Sequence, residues 1–269
     1  KRMLLVQELK NAVLQEQFEL YYQPIVELGS DSVIKAEALI RWDHPTMGFI
    51  SPAEFIPIAE ETGMIIDIGN WVFNEAVAQS AKWKALFNVD IQISINKSPV
   101  QFRDETTDVQ DWLSTMSQLQ LNAKSICIEI TEGLLLEKEQ NVEAKLLAYR
   151  EAGLEVSLDD FGTGYSSLSY LRKFNIDYLK IDKSFVNNLT PDSNDLSLCE
   201  AMIVMAHKLG MKVIAEGIET EQQRNLLEFA GCDYGQGYLF SHALCSEDFE
   251  QKYLQQRADL ILINQFTAS

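Results

Sequence analysis

Short apolar runs of β type alternate with longer amphipathic helical runs along most of this 269-residue chain. Strands that alternate with helices favour a parallel sheet covered by helices, and about eight such repeats predict a TIM-like (β/α)8 barrel. Gly153, Gly210 and Gly231 each precede a predicted strand, where the C-cap of a helix is expected. We therefore predict an α/β fold organised as a single barrel.

The connection between the first two predicted strands, Leu28–Ser32, is too short for a helical crossover. We therefore expect the first strand to run antiparallel to the rest, which makes the start of the barrel irregular. The predicted strands are Phe18–Glu27, Val33–Trp42, Ile91–Asn96, Ser125–Thr131, Leu154–Asp159, Asp177–Asp182, Lys212–Glu216 and Tyr234–Phe240. The predicted helices include Pro52–Glu61, Gly69–Leu86, Glu137–Ala152, Asp195–Leu209 and Glu221–Ala230.

No linker rich in Gly, Ser or Pro divides the chain. We expect a helical lead-in or linker at residues 1–17, the barrel at residues 18–257 and a C-terminal tail at residues 258–269. Because the chain begins at Lys1, we expect it to be cut from a longer protein.

The composition restricts the possible partners. The chain has 40 acidic and 22 basic residues, and its net charge of −18 repels long nucleic acids. An anionic substrate would need a metal or a few local cations. No apolar run approaches the roughly 18 residues of a membrane helix. The four cysteines are scattered, which favours free thiols in a reducing compartment, and three scattered histidines do not support a zinc site.

Polar residues close several of the predicted strands. In one of them, Ile126, Ile128 and Ile130 share one face, and Glu129 lies on the other. Strand ends of a barrel meet at its C-terminal mouth, where carboxylates would repel one another unless cations bind between them. Oxygen ligands suit Mg²⁺ or Mn²⁺, and two adjacent aspartates suit a pair of metals about 3.5–4 Å apart. The predicted ligands are Glu37, Asn96, Glu129, Asp159, Asp160 and Glu216.

Lys180 is the cation of a late strand, and it has two possible roles. It could form a Schiff base, as in a lysine-dependent aldolase. Surrounding carboxylates would instead raise its pKa and keep it charged, which suits a lysine that orients a water molecule and neutralises phosphate. Asp182, two residues further on the same face, is placed to hold Lys180.

A series of ordered motifs resembles the EAL domain family over roughly residues 18–241. Glu37-Ala38-Leu39 is the signature of the family, and Tyr22-Gln23-Pro24-Ile25-Val26 resembles its opening strand. The remaining motifs begin at Asn96, Glu129, Asp159, Lys180, Ala215 and Gln236 and follow in family order. The chain departs from the family at His242-Ala243, where a basic residue and proline are usual.

The resemblance implies a phosphodiesterase that hydrolyses cyclic di-GMP to linear pGpG with water activated by two metals. It implies catalytic roles for Lys180, Glu216 and Glu37. It also implies that the six ligands named above bind two Mg²⁺ or Mn²⁺ ions. Glu132 would steady the loop after Asp160, and Phe161–Ser167 would belong to a dimer interface. Substrate contacts would come from Gln23, Arg41, Asp182, Glu219 and Gln236.

The same resemblance implies a bacterial signalling protein with an upstream GGDEF, PAS or sensor domain. We expect it in the cytoplasm, or at the cytoplasmic face of the inner membrane if a sensor spans that membrane. We also expect a homodimer. The alternative is a catalytically silent cyclic di-GMP receptor or scaffold of the same fold. Substitutions in the acidic set would mark such a receptor, and that set is intact here.

Overall fold

The computed structural model describes residues 2–15, 17–103, 109–136, 140–164, 171, 173–174 and 176–255. The strands are β1 Phe18–Glu27, β2 Ser32–His44, β3 Gly48–Ile50, β4 Gln92–Asn96, β5 Ile126–Thr131, β6 Glu155–Phe161, β7 Tyr178–Ile181, β8 Lys212–Ala215 and β9 Tyr234–Gly235. The helices are α1 Arg2–Ala12, α2 Pro52–Thr62, α3 Ile65–Phe87, α4 Pro99–Arg103, α5 Val109–Gln118, α6 Glu132–Leu136, α7 Gln140–Glu151, α8 Lys183–Val186, α9 Asn194–Lys208, α10 Glu221–Phe229 and α11 Ser246–Phe249. A π-helical turn, Glu250–Leu254, follows α11.

Eight strands close into a barrel. From β2 the order runs through β4, β5, β6, β7, β8 and β9, with each neighbour parallel to the one before. β1 closes the ring because it pairs antiparallel with both β2 and β9. β3 extends the end of β2 as an antiparallel hairpin. The predicted barrel and its antiparallel first strand are therefore confirmed.

The barrel strands separate apolar and polar side chains by the period of two that every strand has. Ile126, Ile128 and Ile130 of β5 are buried and belong to the apolar core that the surrounding helices cover. Cys127 and Glu129 of the same strand alternate with them and are also buried. The inside of this barrel therefore contains buried polar groups, which need partners there because water does not reach them.

Local signals explain where several helices begin and end. Thr220 begins α10 with a capping box shared with Gln223, and the Ser193 hydroxyl accepts from the Leu196 amide at the start of α9. The three glycines predicted to follow helices have positive φ angles of 81°, 81° and 87°. Glycine adopts this conformation without a steric penalty, so these turns lead directly into the next strand.

The last strand is shorter than predicted. Tyr234–Phe240 was expected, but β9 contains only Tyr234–Gly235. The chain turns after Gln236, and the Phe240 amide donates to the carbonyl of Gly237 instead of continuing the ladder. The sequence pattern also did not predict β3, α4 or α5.

Three predicted segments that fall partly or wholly outside the described residues are residues 165–167 of the loop assigned to a dimer interface, residues 137–139 of the predicted helix Glu137–Ala152, and the tail at residues 258–269. Within the described part, α1 occupies most of the predicted lead-in. None of the helices in that part combines the length and the hydropathy needed to cross a membrane.

Gly237 supports the closure of the barrel, and its replacement should destabilise the protein. A Cβ atom there would lie 2.1 Å from the carbonyl oxygen of Ile218 and 2.3 Å from its nitrogen. Both groups are hydrogen-bonded, to Leu239 and Gln236, so the backbone cannot yield. We expect Gly237→Ala to lower the free energy of unfolding by about 3 kcal/mol in urea denaturation.

The matched control is Gly29→Ala, because nothing lies within 4 Å of the Cβ position at Gly29. This variant should unfold within about 0.5 kcal/mol of the parent. Equal stability of the two variants would show that the contact between Gly237 and Ile218 does not support the barrel.

Candidate metal and substrate site

The parallel strands bring the predicted ligands to one end of the barrel. Glu37 lies within β2, opposite Ser94 of β4, and Asn96 ends β4 and pairs in register with Glu129 of β5. β6 adds Asp159 and Asp160, and Glu216 directly follows β8. The carboxyl ends of parallel strands share one edge, which explains why residues far apart in sequence converge here.

Lys180 of β7 lies at the centre of this acidic set, with no exposed surface. Its Nζ is 2.7 Å from Glu129 Oε2 and 2.7 Å from Glu216 Oε1. Glu37 Oε2 and Asp159 Oδ1 each lie 3.4 Å away. One ammonium group therefore faces four carboxylates, and it cannot neutralise all of them.

Amide side chains complete the surroundings of Glu37. Asn96 Nδ2 donates to Glu37 Oε1 at 2.7 Å, and Gln236 Nε2 donates to Glu37 Oε2 at 2.7 Å. Gln236 Nε2 also lies 3.0 Å from Gln23 Oε1, and Gln23 Nε2 donates to the Ser241 carbonyl. This network holds Glu37 ionised from three sides.

Burial and charge give the carboxyl groups different protonation behaviour. Burial raises the pKa of Glu129 to about 8 and that of Glu216 to about 7, although Lys180 opposes both shifts. Burial also acts on Glu37, but Lys180, Gln236 and Asn96 outweigh it and lower the pKa of that group. The nearby carboxylates outweigh burial at Lys180 and raise its pKa, so it stays charged.

The side chains also meet a basic test for binding divalent cations. One oxygen each of Asp159, Asp160 and Glu216 lies within 4.8 Å of the others. Glu129 Oε1 is buried and accepts no hydrogen bond within the described structure, so this oxygen is left without a hydrogen-bond partner. The donor set consists of carboxylate and amide oxygens, the ligands that hard cations prefer. The residues therefore fit a divalent metal.

An irregularity in β6 brings two consecutive aspartates to the same cluster. The register with β7 shifts between Leu158 and Phe161, and Asp160 has a φ of 56°. Neighbouring residues of a regular strand point to opposite faces, whereas a bulge redirects a side chain. Aspartate is among the residues that tolerate this left-handed conformation.

The other predicted site residues lie around the same mouth. Arg41 is half-buried, donates to the Ile40 carbonyl and lies over the Tyr21 ring. Asp182 does not contribute one of the ion pairs of Lys180 in the described structure; its carboxylate caps α8 by accepting from the Ser184 amide at 3.0 Å.

The loop that follows Asp160 contacts Glu132. Glu132 is buried, and its Oε2 accepts from the Gly162 amide at 3.2 Å. A Cβ atom at Gly164 would lie 3.2 Å from the Glu132 carboxylate. The described start of this loop therefore lies against Glu132, where the sequence motif suggested a steadying contact.

A cavity of about 350 Å³ opens beside the acidic cluster. Gln23, Glu37, Glu216, Glu219 and Gln236 line it. Lys183, Gly217 and Tyr238 line it too, and the sequence patterns did not single them out. Their proximity to the motifs at Lys180, Glu216 and Gln236 was the available signal.

The chain is similar to known proteins over most of its length. A family model described as EAL domain matches residues 6–243. A cyclic di-GMP phosphodiesterase of Pseudomonas aeruginosa is 38% identical over 236 residues, covering 88% of this chain and 40% of that protein. MucR of the same species, a bifunctional diguanylate cyclase/cyclic di-GMP phosphodiesterase, is 36% identical over 250 residues, covering 92% of this chain and 36% of that protein.

Solved structures show the same similarity. The structure described as the PaMucR phosphodiesterase in complex with c-di-GMP has a TM-score of 0.84 at 36% identity and covers 91% of this chain and 99% of that one. The chain spans less than half the length of these curated relatives. The match over residues 6–243, supported by this shared fold, shows that the chain belongs to the EAL domain family.

Proposed function

We propose that this domain is a metal-dependent phosphodiesterase that hydrolyses cyclic di-GMP to linear pGpG. The observation that carries the proposal is the set of buried carboxylates around Lys180, which has an unsatisfied oxygen at Glu129 and lies beside a cavity. Relatives described as cyclic di-GMP phosphodiesterases, and a related structure in complex with c-di-GMP, support the choice of substrate.

We assign two Mg²⁺ or Mn²⁺ ions to the site. When bound, such ions lower the pKa of water and offset the charge of phosphate. Asp159 and Asp160 would hold the second ion, with Glu216 binding it directly or through water. The first ion would be held by Glu37, Asn96, Glu129 and Asp159.

The residues of the chain then have distinct roles. Lys180 orients the attacking water, since its ammonium stays charged and lies within 3.4 Å of four carboxylates. Water adds to phosphorus and gives up a proton, one ester P–O bond breaks, and the released sugar oxygen takes up a proton to become a hydroxyl, so one water is consumed for each pGpG. Glu37 and Glu216 are the two carboxylates assigned a catalytic role, and both lie beside the ammonium group of Lys180.

Substrate binding is assigned to the rim of the site. Gln23, Glu219 and Gln236 line the cavity and offer donors and acceptors to a nucleotide. Arg41 lies on the same strand face as Glu37 and is placed to reach a phosphate or a guanine edge. Asp182 supports the β7 end through its cap of α8, and Glu132 steadies the loop after Asp160.

We further infer the setting of the domain. The greater length of its curated relatives, one of which is bifunctional, supports upstream GGDEF, PAS or sensor modules. A homodimer is inferred from the family resemblance. The free cysteines support the cytoplasm, or the cytoplasmic face of the inner membrane, as its location.

The first test is formation of pGpG from cyclic di-GMP by the purified chain with Mg²⁺, with Mn²⁺ and with chelator. We expect product with metal only. Glu37→Ala should lower the rate roughly 100-fold or more because it removes a predicted ligand, and ligands matter more than their supporting shell. It should stay folded by circular dichroism, because one fewer carboxylate relieves repulsion.

Glu151→Ala, at an exposed end of α7, is the matched control and should keep parental turnover. Wild-type turnover by a folded Glu37→Ala variant would contradict the metal assignment. Tight binding of cyclic di-GMP without product would assign the domain to the receptor class instead. Absence of both binding and product would exclude cyclic di-GMP as the ligand of this chain.

Removing the central cation should make stability depend on added metal. Lys180→Met leaves Glu129, Glu216, Glu37 and Asp159 facing one another, and breaking a buried ion pair costs about 3–5 kcal/mol. We expect a lower melting temperature in chelator and partial recovery with Mg²⁺. The exposed Lys208→Met is the charge-matched control. A melting temperature of Lys180→Met in chelator equal to that of the parent protein would show that Lys180 does not hold the carboxylates together.

The raised pKa values of Glu129 and Glu216 predict how stability depends on pH. Without metal, these groups contribute stability below their unfolded pKa near 4.5, and that contribution is lost as the pH rises through about 7 and about 8. Metal binds the ionised carboxylates of these two residues. At high pH they are already ionised, so metal binding has to displace fewer protons. The rise in melting temperature caused by Mg²⁺ should therefore be larger at pH 8.5 than at pH 6, whereas a constant rise would contradict these shifts.

A further inference from the structure

Lys183 is an unusual residue for the mouth of an acidic protein. It is exposed, and among the residues of the described chain that line the cavity it is the one with a positive charge. No ion pair is formed by its ammonium within the described ranges. An ammonium group without an ion-pair partner is available to a ligand.

The backbone around Lys183 is held close to the loop after β8. A Cβ atom at Gly217, where φ is 70°, would lie 2.5 Å from Lys183 Cβ. This contact needs glycine and keeps Lys183 against the segment that leads to Glu219.

Glu219 offers the complementary group on the same cavity. Its backbone amide donates to Gln223 Oε1, whereas its exposed carboxylate makes no hydrogen bond to the described residues. A guanine has acceptors at O6 and N7 and a donor at its N2 amino group. The ammonium of Lys183 can donate to the guanine acceptors, and the carboxylate of Glu219 can accept from the N2 amino group, so the two residues that line this cavity match a guanine.

An aromatic surface lies at the rim of this cavity. The Tyr238 ring is 61% exposed, and its centroid is 3.9 Å from that of His242. His242 is the residue at which this sequence departs from the usual basic-proline pair of the family. Flat rings that are open to solvent bind nucleobases by stacking, with little preference among bases.

We propose that Lys183 is a specificity-determining residue that donates to the O6 and N7 acceptors of one guanine, which stacks on the Tyr238–His242 pair. The inference rests on the proposed function, and it assigns recognition of the base to a residue outside the acidic cluster. Adenine has an amino group where guanine has O6, so an ammonium there favours guanine.

The test compares kcat/KM for cyclic di-GMP and cyclic di-AMP in the full chain with Mn²⁺. Lys183→Met should lower kcat/KM for cyclic di-GMP about tenfold, mainly through KM, which is the size of one good base contact. The value for cyclic di-AMP should stay unchanged, so the preference for guanine falls. Tyr238→Leu should weaken both substrates alike, because stacking tolerates either base.

Lys208→Met, which removes the same charge from the exposed end of α9, should leave both values unchanged. Equal losses for the two dinucleotides in Lys183→Met would overturn base recognition in favour of a phosphate contact, and no loss would overturn any role in binding. If the parent protein neither binds nor hydrolyses cyclic di-GMP, the proposed function itself fails. A parent that hydrolyses it while Lys183→Met matches the parent refutes this inference alone.

Discussion

The rest of the site depends on one buried ammonium group surrounded by four carboxylates. Lys180 has no exposed surface, and its charge keeps Glu37, Glu129, Asp159 and Glu216 together at the mouth of the barrel. Burial raises the pKa values of Glu129 and Glu216, and the neighbouring carboxylates, which a single positive charge leaves under-neutralised, add to this rise. Additional cations would complete the compensation, so the same imbalance that limits the metal-free protein favours metal binding.

The packing of the barrel offsets the cost of this excess negative charge. Its helices cover an apolar outer layer, including Ile128 and Trp42, that stabilises the strands independently of the site. The polar interior is held by hydrogen bonds between strands, such as those from Asn96 and Gln236 to Glu37. The antiparallel β1 closes the ring and brings Gln23 next to Gln236. The first strand of the barrel therefore positions a side chain that follows the last strand.

Several site features could be predicted because they follow from local patterns. Alternation along β5 placed Glu129 opposite an apolar face, and strand ends placed Asp159 and Glu216 at one edge. Other features depend on contacts between distant segments. The bulge in β6 and the short β9 follow from tertiary packing, and a pattern of period two cannot encode them.

The sequence by itself determined the alternation of strands and helices, the antiparallel start and the identity of the acidic residues, because these depend on periodicity, loop length and side-chain chemistry. Only the tertiary structure decided that Lys180 bridges four carboxylates, that Glu129 keeps an unsatisfied oxygen, and that Lys183, Glu219 and Tyr238 line one cavity. Those relations join residues of different strands and loops. Their distances are set by closure of the barrel, which no local segment specifies.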